Sequence, residues 1–497
     1  MDLINEFAFI LSKNIPPEFN QVIPPNSKIR KLFDLVTSHT VYSDDEASKI
    51  IYNSTKADKK YLMLKRNLVQ KLSDLVYLQN YEEIDKDNYM NIHFQVEKEL
   101  LIAEKLLLKN VYHNPTKIIS KVEQTAKEYF FIDLQVSAAR KFRSVYALKG
   151  FPKETEAYDE KVQFLVKCQN YYNATLGMWE KLYSKTKYTI SKSDEIINEC
   201  REDIKKINEW LVFYDSPFIR LQLYQISILF YYQQNKQSRV LENLQKIEKL
   251  IENYAFINTR SLQLEFNYYY ARFYRDTKQH DLAEKFIFNC LKISDYRAFD
   301  KFLIQELYFD ILIKKGDYYG AGEIIYEVHS VPQYKFLDGY DKSAWVIREA
   351  YLYFIYVSLN LTDYIKLLPI FDKPKSLHFF LEKSKKSAKD KFGYNLMLLL
   401  IRVVLYKING LDDVENEGNN MLVYYHRYLN LLDKSRTILF FNQLAKSVLH
   451  GLDKEELKER KPKLIKRLNE INNSTFDALE IIPYEKFWDL LFNVSLK

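Results

Sequence analysis

Apolar side chains recur three or four residues apart along most of the chain, the spacing that collects them on one face of an α-helix. Ile29, Leu32 and Val36 form one such stripe near the N-terminus. The same pattern returns many times between short polar joints, and short joints between helices favour antiparallel neighbours. The pattern therefore predicts a series of helical hairpins. The consecutive helices that follow the N-terminal region are predicted over residues 97–110, 117–131, 135–148, 154–172, 175–183 and 193–214.

The segment before these hairpins has a pattern of its own. Ser43 is followed by three acidic residues, which is typical of a helix start, and the helix that it opens is short. A longer helix over 59–78 follows, with Tyr61, Leu68 and Leu75 on its apolar side. Three helices of rising length predict a helix-turn-helix-like module. We therefore expect three domains: this module over 1–85, helical repeats over 86–368, and further repeats with a cap over 369–497.

Composition narrows the fold class further. Glycine and proline number only 10 and 12 among 497 residues, whereas turn-rich β-folds use both residues freely. This scarcity argues against an all-β protein and disfavours a glycine-rich nucleotide fold. Apolar residues make up 47% of the chain and charged residues 28%, a composition typical of neither a disordered nor a membrane-embedded protein. The sequence predicts an all-α protein.

Charge, cysteines and the first residues indicate a compartment. The net charge of +7 is mild for this length, so it neither requires nor excludes a polyanionic partner. Cys168, Cys200 and Cys290 are odd in number and far apart, unlike a disulfide framework or a zinc knuckle. The first residues lack the basic start of a signal peptide, and no apolar run reaches the ~18 residues that span a bilayer. We expect a cytoplasmic protein without a membrane segment.

The clearest repeat lies in the middle of the chain, where small and bulky side chains alternate at helix-packing positions. Ala271 and Ala283 are small enough to let two helix axes approach to about 8–10 Å, and Tyr274 fills the wedge beside them. These positions resemble a tetratricopeptide repeat. Two positions depart from that family: Asn267 stands where it prefers Trp, and Asp295 where it closes with Pro.

The resemblance to tetratricopeptide repeats extends over residues 224–328. The crossing positions of three successive hairpins are Val240, Ala283 and Ala321, 43 and 38 residues apart, whereas the family period is 34. The resemblance implies an α-solenoid, a stack of antiparallel hairpins that presents a concave groove to a partner protein. A non-repeating helical bundle is the alternative architecture.

The groove that the resemblance implies would hold a peptide or a helix of the partner. We expect first helices of the repeats to line it, and predict Tyr224, Asn267, Tyr270 and Gln305 as partner-binding residues. The chain is rich in aromatic residues, with 40 Tyr and 32 Phe. Packing between helices explains most of them, and an exposed stacking surface is the alternative.

The helix over 59–78 carries a cluster of basic residues that could meet phosphates. It resembles, in helix order and length, the winged helix-turn-helix region of bacterial regulators that join such a module to a repeat domain. The wing strands of that family are not visible in the sequence, so a structural cap or a protein-docking module is the favoured role. The residues that would contact nucleic acid are Lys59, Lys60, Lys65, Arg66 and Lys71.

Motifs for catalysis, cofactors and metals are missing. No two of the eight histidines lie three to five residues apart, and the sequence has no HExxH, no P-loop and no GxSxG. Paired carboxylates such as Glu82 and Glu83 lie on polar runs, where solvation is their ordinary role. We therefore predict a non-catalytic interaction scaffold or adaptor that uses no cofactor. The alternative is a regulator whose N-terminal module binds nucleic acid while its repeats sense a partner.

Overall fold

Helices make up the secondary structure of the computed structural model, and no strand occurs among the residues that it describes. The chain divides into two compact units, Met1–Leu134 and Gln135–Lys497. The predicted all-α class is confirmed for the described residues, which are 2–13, 17–38, 40–41, 43–78, 88–111, 113–188, 193–293, 298–331, 334–335, 337, 339–371, 393–410, 414–430, 435–471 and 479–494.

The first unit buries its apolar stripes around helix α5 (Lys59–Leu78). The side chains of Tyr61, Leu68 and Leu75 are fully buried, as the pattern predicts. Ser43 caps α4: its Oγ accepts a hydrogen bond from the backbone N–H of Glu46, whose carboxylate accepts one from the N–H of Ser43. The helices of this unit are α1 (Asp2–Lys13), α2 (Phe19–Val22), α3 (Lys28–Thr37), α4 (Asp44–Tyr52), α5 (Lys59–Leu78), α6 (Asn88–Leu107) and α7 (His113–Glu128).

The second unit packs successive helices on one another in chain order, from α9 (Pro152–Tyr188) through α17 (Gly339–Ser358). Its last helix also packs on α17, so its end returns to its middle. Its helices are α8 (Ile132–Leu148, which crosses the unit boundary), α9 (Pro152–Tyr188), α10 (Ser193–Phe213), α11 (Pro217–Gln233), α12 (Gln237–Asn253), α13 (Arg260–Asp276), α14 (His280–Ile293), α15 (Ala298–Lys315), α16 (Tyr318–Ser330), α17 (Gly339–Ser358), α18 (Tyr394–Ile408), α19 (Val414–Tyr424), α20 (Arg436–Leu449), α21 (Lys454–Glu470) and α22 (Tyr484–Val494).

One helix boundary in the sequence prediction is wrong. The segments predicted as two helices, 154–172 and 175–183, form the single 37-residue helix α9. No proline interrupts this stretch, and the hydroxyl of Thr175 donates a hydrogen bond to the carbonyl of Tyr171, 2.8 Å away within the same helix. A threonine whose hydroxyl bonds to the carbonyl four residues earlier can stay inside a helix, so Thr175 does not end α9.

The small residues at the predicted helix-packing positions are buried between helices. Ala271, Ala283 and Ala321 have no exposed surface, and the ring of Tyr274 stacks on Phe286 of the next helix at 5.5 Å between centroids. Close helix approach at small residues is what the sequence predicts there. The predicted domain ends at 85 and 368 lie in or beside residues outside the described ones, 79–87 and 372–392, and stay predictions.

Candidate functional site

A cavity of about 900 Å³ opens in the second unit beside α13, and we call it the α13 cavity. Its volume falls in the range of ligand-binding clefts. Helices far apart in sequence contribute to it: α9 provides Trp179, α15 provides Asp310, and α20 provides Arg436. The cavity is therefore a product of tertiary packing rather than of one local motif.

One face of α13 lines this cavity from end to end. Glu265, Tyr269 and Arg272 are three or four residues apart, and so are Tyr268, Arg272 and Arg275, so all five lie on the same side of the helix. Three of the five are charged, which is unusual for a helix face that points into a protein. The helix thereby supplies both aromatic surface and charge to the cavity.

A network of buried ions forms one wall. Asp310 accepts hydrogen bonds from Arg348 Nε at 3.3 Å and from Arg275 Nη1 at 3.5 Å. Arg275 also pairs with Asp276 at 2.7 Å, and Arg348 with Glu306 at 2.6 Å. Arg348 is only 3% exposed and Asp310 7%. Because burial makes an unpaired charge costly, this pairing holds the side chains of the wall in fixed positions.

A second arginine cluster ties the end of the second unit to the cavity. Arg436 pairs with Glu480 at 2.8 Å and with Glu485 at 2.9 Å. Its Nη1 also donates a hydrogen bond to the carbonyl of Leu468 at 3.0 Å. These bonds use the fork of donors that only a guanidinium offers. The carboxylates of Glu480 and Glu485 are thus engaged by protein groups.

Glu265 is the carboxylate on the aromatic side of the cavity. Burial raises its pKa to about 7, against the effect of the hydrogen bonds from Gln225 and Tyr269. Gln225 Nε2 donates to Glu265 Oε1 at 2.7 Å. The pKa of this carboxyl therefore lies well above that of a solvated glutamate.

Two half-buried cations of the cavity lining have no carboxylate partner in the described part of the chain. Among the described residues, no carboxylate oxygen lies within 4.0 Å of a nitrogen of Arg272 or Lys314. The guanidinium of Arg272 lies over the ring of Tyr232, 4.8 Å from its centroid. Burial and the charge of Arg275 lower the pKa of Lys314, although Asp276 and other carboxylates nearby oppose them. Among the residues that the structure describes, these two side chains are the half-buried positive groups of the lining without a carboxylate partner.

The four predicted partner-binding residues lie outside the lining of the α13 cavity. Tyr270 is 4% exposed and packs against Phe286, and Gln305 is 1% exposed. Asn267 donates a hydrogen bond to the carbonyl of Gln263 at 2.6 Å, and Tyr224 is half-buried. The residues adjacent to Asn267 and Tyr270, Tyr268 and Tyr269, line the cavity instead. Partner binding by the predicted four stays a prediction.

Sequence reasoning missed the charged wall, although a signal for it exists. Asp310 stands between Phe309 and Ile311, and Arg348 follows Ile347, so both lie in apolar stretches of buried helices. A charge inside such a stretch needs a partner from elsewhere in the fold, because it is costly to bury alone. The sequence marks the need for this partner and does not identify it.

The five basic residues predicted to meet nucleic acid divide into two groups in the first unit. Lys65 pairs with Asp44 at 2.8 Å, and Lys71 donates a hydrogen bond to the carbonyl of Val22 at 2.6 Å. The other three are exposed on α5, and no ion pair involves them among the residues that the structure describes: Lys59, Lys60 and Arg66.

Metal ligands, thiols and membrane-spanning helices are the remaining features of the described residues that bear on function. In the described part of the chain, no three His, Cys, Asp or Glu side chains are placed to hold a metal ion. The three cysteines are buried, and burial raises the pKa of each thiol, to about 11 for Cys168 and about 12 for Cys200 and Cys290. None of the described helices combines the length and apolar character that a bilayer crossing requires.

Comparison with known proteins adds no assignment. The chain matches no protein family model, no curated protein and no solved structure.

Proposed function

We propose that this chain is a non-catalytic interaction protein whose second unit holds a segment of a partner protein in the α13 cavity. The observation that carries the proposal is the cavity itself: about 900 Å³, lined by aromatic side chains such as Trp179 and Tyr268 beside buried ion pairs. Aromatic anchors in a rigid, partly polar site are the usual basis of peptide recognition.

The state of the carboxylates supports binding rather than acid–base catalysis. Asp310 and Glu306 are held by arginines, and so are Glu480 and Glu485. A general base needs a carboxylate that is free to take a proton from a substrate. Glu265, with its pKa near 7, is the exception, and its oxygen is already bonded to the amide of Gln225.

We also propose that the helices around the cavity form a tetratricopeptide-like stack. Serial packing of neighbouring helices and the fully buried Ala271, Ala283 and Ala321 support this architecture. A stack of this kind places one face of successive first helices along a shared groove. The run of cavity residues along α13 agrees with such a face.

A matched pair of substitutions tests the proposed function. Leu303 lines the cavity and is 36% exposed, whereas Leu282 is 40% exposed and lies outside it. Tagged full-length chains with Leu303→Trp or Leu282→Trp are used to recover partners from the native cell, with quantitative mass spectrometry. We expect Leu303→Trp to lose a protein that the wild type and Leu282→Trp both retain. Equal recovery by all three chains would refute docking in this cavity.

Nucleic-acid binding by the first unit is the second candidate function, and the exposed Lys59, Lys60 and Arg66 are what favours it. Each phosphate contact that is lost should flatten the salt dependence of binding by about one unit of slope. The full chain and a variant with Gln in place of each of these three residues are titrated with duplex DNA at about 0.05 and 0.2 M salt. Identical slopes for the two chains would exclude this surface.

A further inference from the structure

We propose that the α13 cavity selects an acidic partner segment, whose carboxylates pair with Arg272 and Lys314. This inference rests on the proposed function and goes beyond it by naming the chemistry of the ligand.

The unsatisfied charge of the cavity is positive. Its carboxylates are engaged by arginines, or by an amide in the case of Glu265. Four basic side chains of the lining have no carboxylate within 4.0 Å in the part of the chain that the structure describes. A segment that brings carboxylates would meet a complementary potential at these four residues, Lys236, Arg272, Lys278 and Lys314.

Lys314 lines the cavity from α15, and no carboxylate pairs with it among the described residues. Burial and the nearby guanidinium of Arg275 both lower its pKa. Asp276, Asp310 and Glu480 favour its charge, yet none of them comes within 4.0 Å in the structure. A carboxylate brought by a ligand would supply the close partner that Lys314 lacks.

Arg272 provides a second point of attachment on the aromatic side. Its guanidinium lies over the ring of Tyr232, and its neighbour Tyr268 also lines the cavity. The hydroxyl of Tyr232 is buried and has no hydrogen-bond partner among the described residues. A planar guanidinium on an aromatic face keeps its edge donors available for a carboxylate. Apolar parts of the same ligand would pack on the rings.

The number of free charges favours carboxylates over phosphate. Phosphate sites usually bring several arginine donors onto one dianion. Here Arg275, Arg348 and Arg436 are occupied by protein carboxylates. Of the four unpaired cations among the described lining residues, Lys236 and Lys278 are exposed, which leaves one half-buried Arg and one half-buried Lys. Two separate single charges suit two single carboxylates spaced along a chain better than one dianion.

Peptide display on the immobilised full-length chain tests the inference, with a library of random twelve-residue peptides as the probe. We expect selected peptides to be enriched in Asp and Glu. A fluorescent selected peptide should bind the wild type at least about tenfold more tightly than the same peptide with Gln and Asn in place of its acids. Lys314→Gln and Arg272→Gln should each weaken the acidic peptide about tenfold.

The control is Lys285→Gln, which makes the same change at an exposed lysine outside the cavity and should alter affinity less than about twofold. Peptides that bind Leu303→Trp as well as the wild type, or a selection without binders, would refute both the docking function and this inference. Peptides that lose binding to Leu303→Trp, but bind the wild type equally well when Gln and Asn replace their acidic residues, would refute the acidic preference alone. Tighter binding of a phosphoserine version would also refute it.

Discussion

Stability should depend on pH through Glu265, and the sign follows from its environment. Burial raises the pKa of this carboxyl from 4.5 to about 7 in the folded chain. Between these two values the folded chain therefore binds more protons than the unfolded chain does. Stability contributed by this group is full below about pH 4.5 and is lost as the pH rises toward 7 and above.

The size of the effect follows from the same two pKa values. One pH unit corresponds to about 1.4 kcal/mol, so the rise to about 7 is worth on the order of 3 kcal/mol at most. The side chain keeps some contact with the cavity, which reduces this amount. We expect the free energy of unfolding to respond by about 1–3 kcal/mol.

Glu265→Gln removes the titrating group and keeps a carbonyl that can accept the hydrogen bond from Gln225. All four tryptophans lie in the second unit, so their fluorescence during urea denaturation reports on the unfolding of that unit. Relative to the wild type, the variant should gain about 1–3 kcal/mol between pH 5 and pH 8. The variant gains relative to the wild type because the wild type loses stability as Glu265 ionises, and the variant has no carboxyl at this position.

The control for this prediction is Glu252→Gln, the same substitution at an exposed glutamate of α12. Its difference from the wild type should not change with pH. A Glu265→Gln difference that stays constant between pH 5 and pH 8 would show that this carboxyl titrates at the same pH in both states. The assignment of its raised pKa to burial would then be wrong.

Three further predictions concern charge, packing and thiol reactivity. Asp310→Asn removes the carboxylate that two buried arginines share. Because each arginine keeps another partner, we expect the free energy of unfolding, measured by urea denaturation, to fall by about 1–3 kcal/mol. An unchanged midpoint would contradict this prediction. Gly322→Ala would place a methyl group against the Tyr356 hydroxyl and 2.8 Å from Leu367 Cδ1, lowering stability by ~1–3 kcal/mol, whereas Gly177→Ala has open space and should add ~0.5–1 kcal/mol. If the thermal midpoints of the two glycine variants moved in the same direction, this pair of predictions would be wrong. The three buried thiols, with pKa values of about 11 or 12, should resist alkylation at pH 8 until urea is added, as mass spectrometry can check; rapid labelling of the native chain would contradict their burial.

The sequence by itself determined the helical class and many local features, because these depend on neighbours within a few residues. The scarcity of glycine and proline and the helical spacing of apolar residues predict the all-α fold that the described residues show. The capping box at Ser43 and the buried small residues Ala271 and Ala283 follow in the same way. The break predicted in α9 failed because no residue there prevents a helix from continuing.

Only the tertiary structure decided where the candidate site lies. Asp310 meets Arg275 and Arg348 across 35 and 38 residues of sequence, and no local pattern encodes that meeting. The rotation of α13 about its axis likewise determines that Tyr269 lines the cavity while Tyr270 packs against the next helix. One residue corresponds to a turn of about 100° around a helix. Packing against neighbouring helices sets that rotation, so the orientation of a site residue becomes known only when the whole unit is assembled.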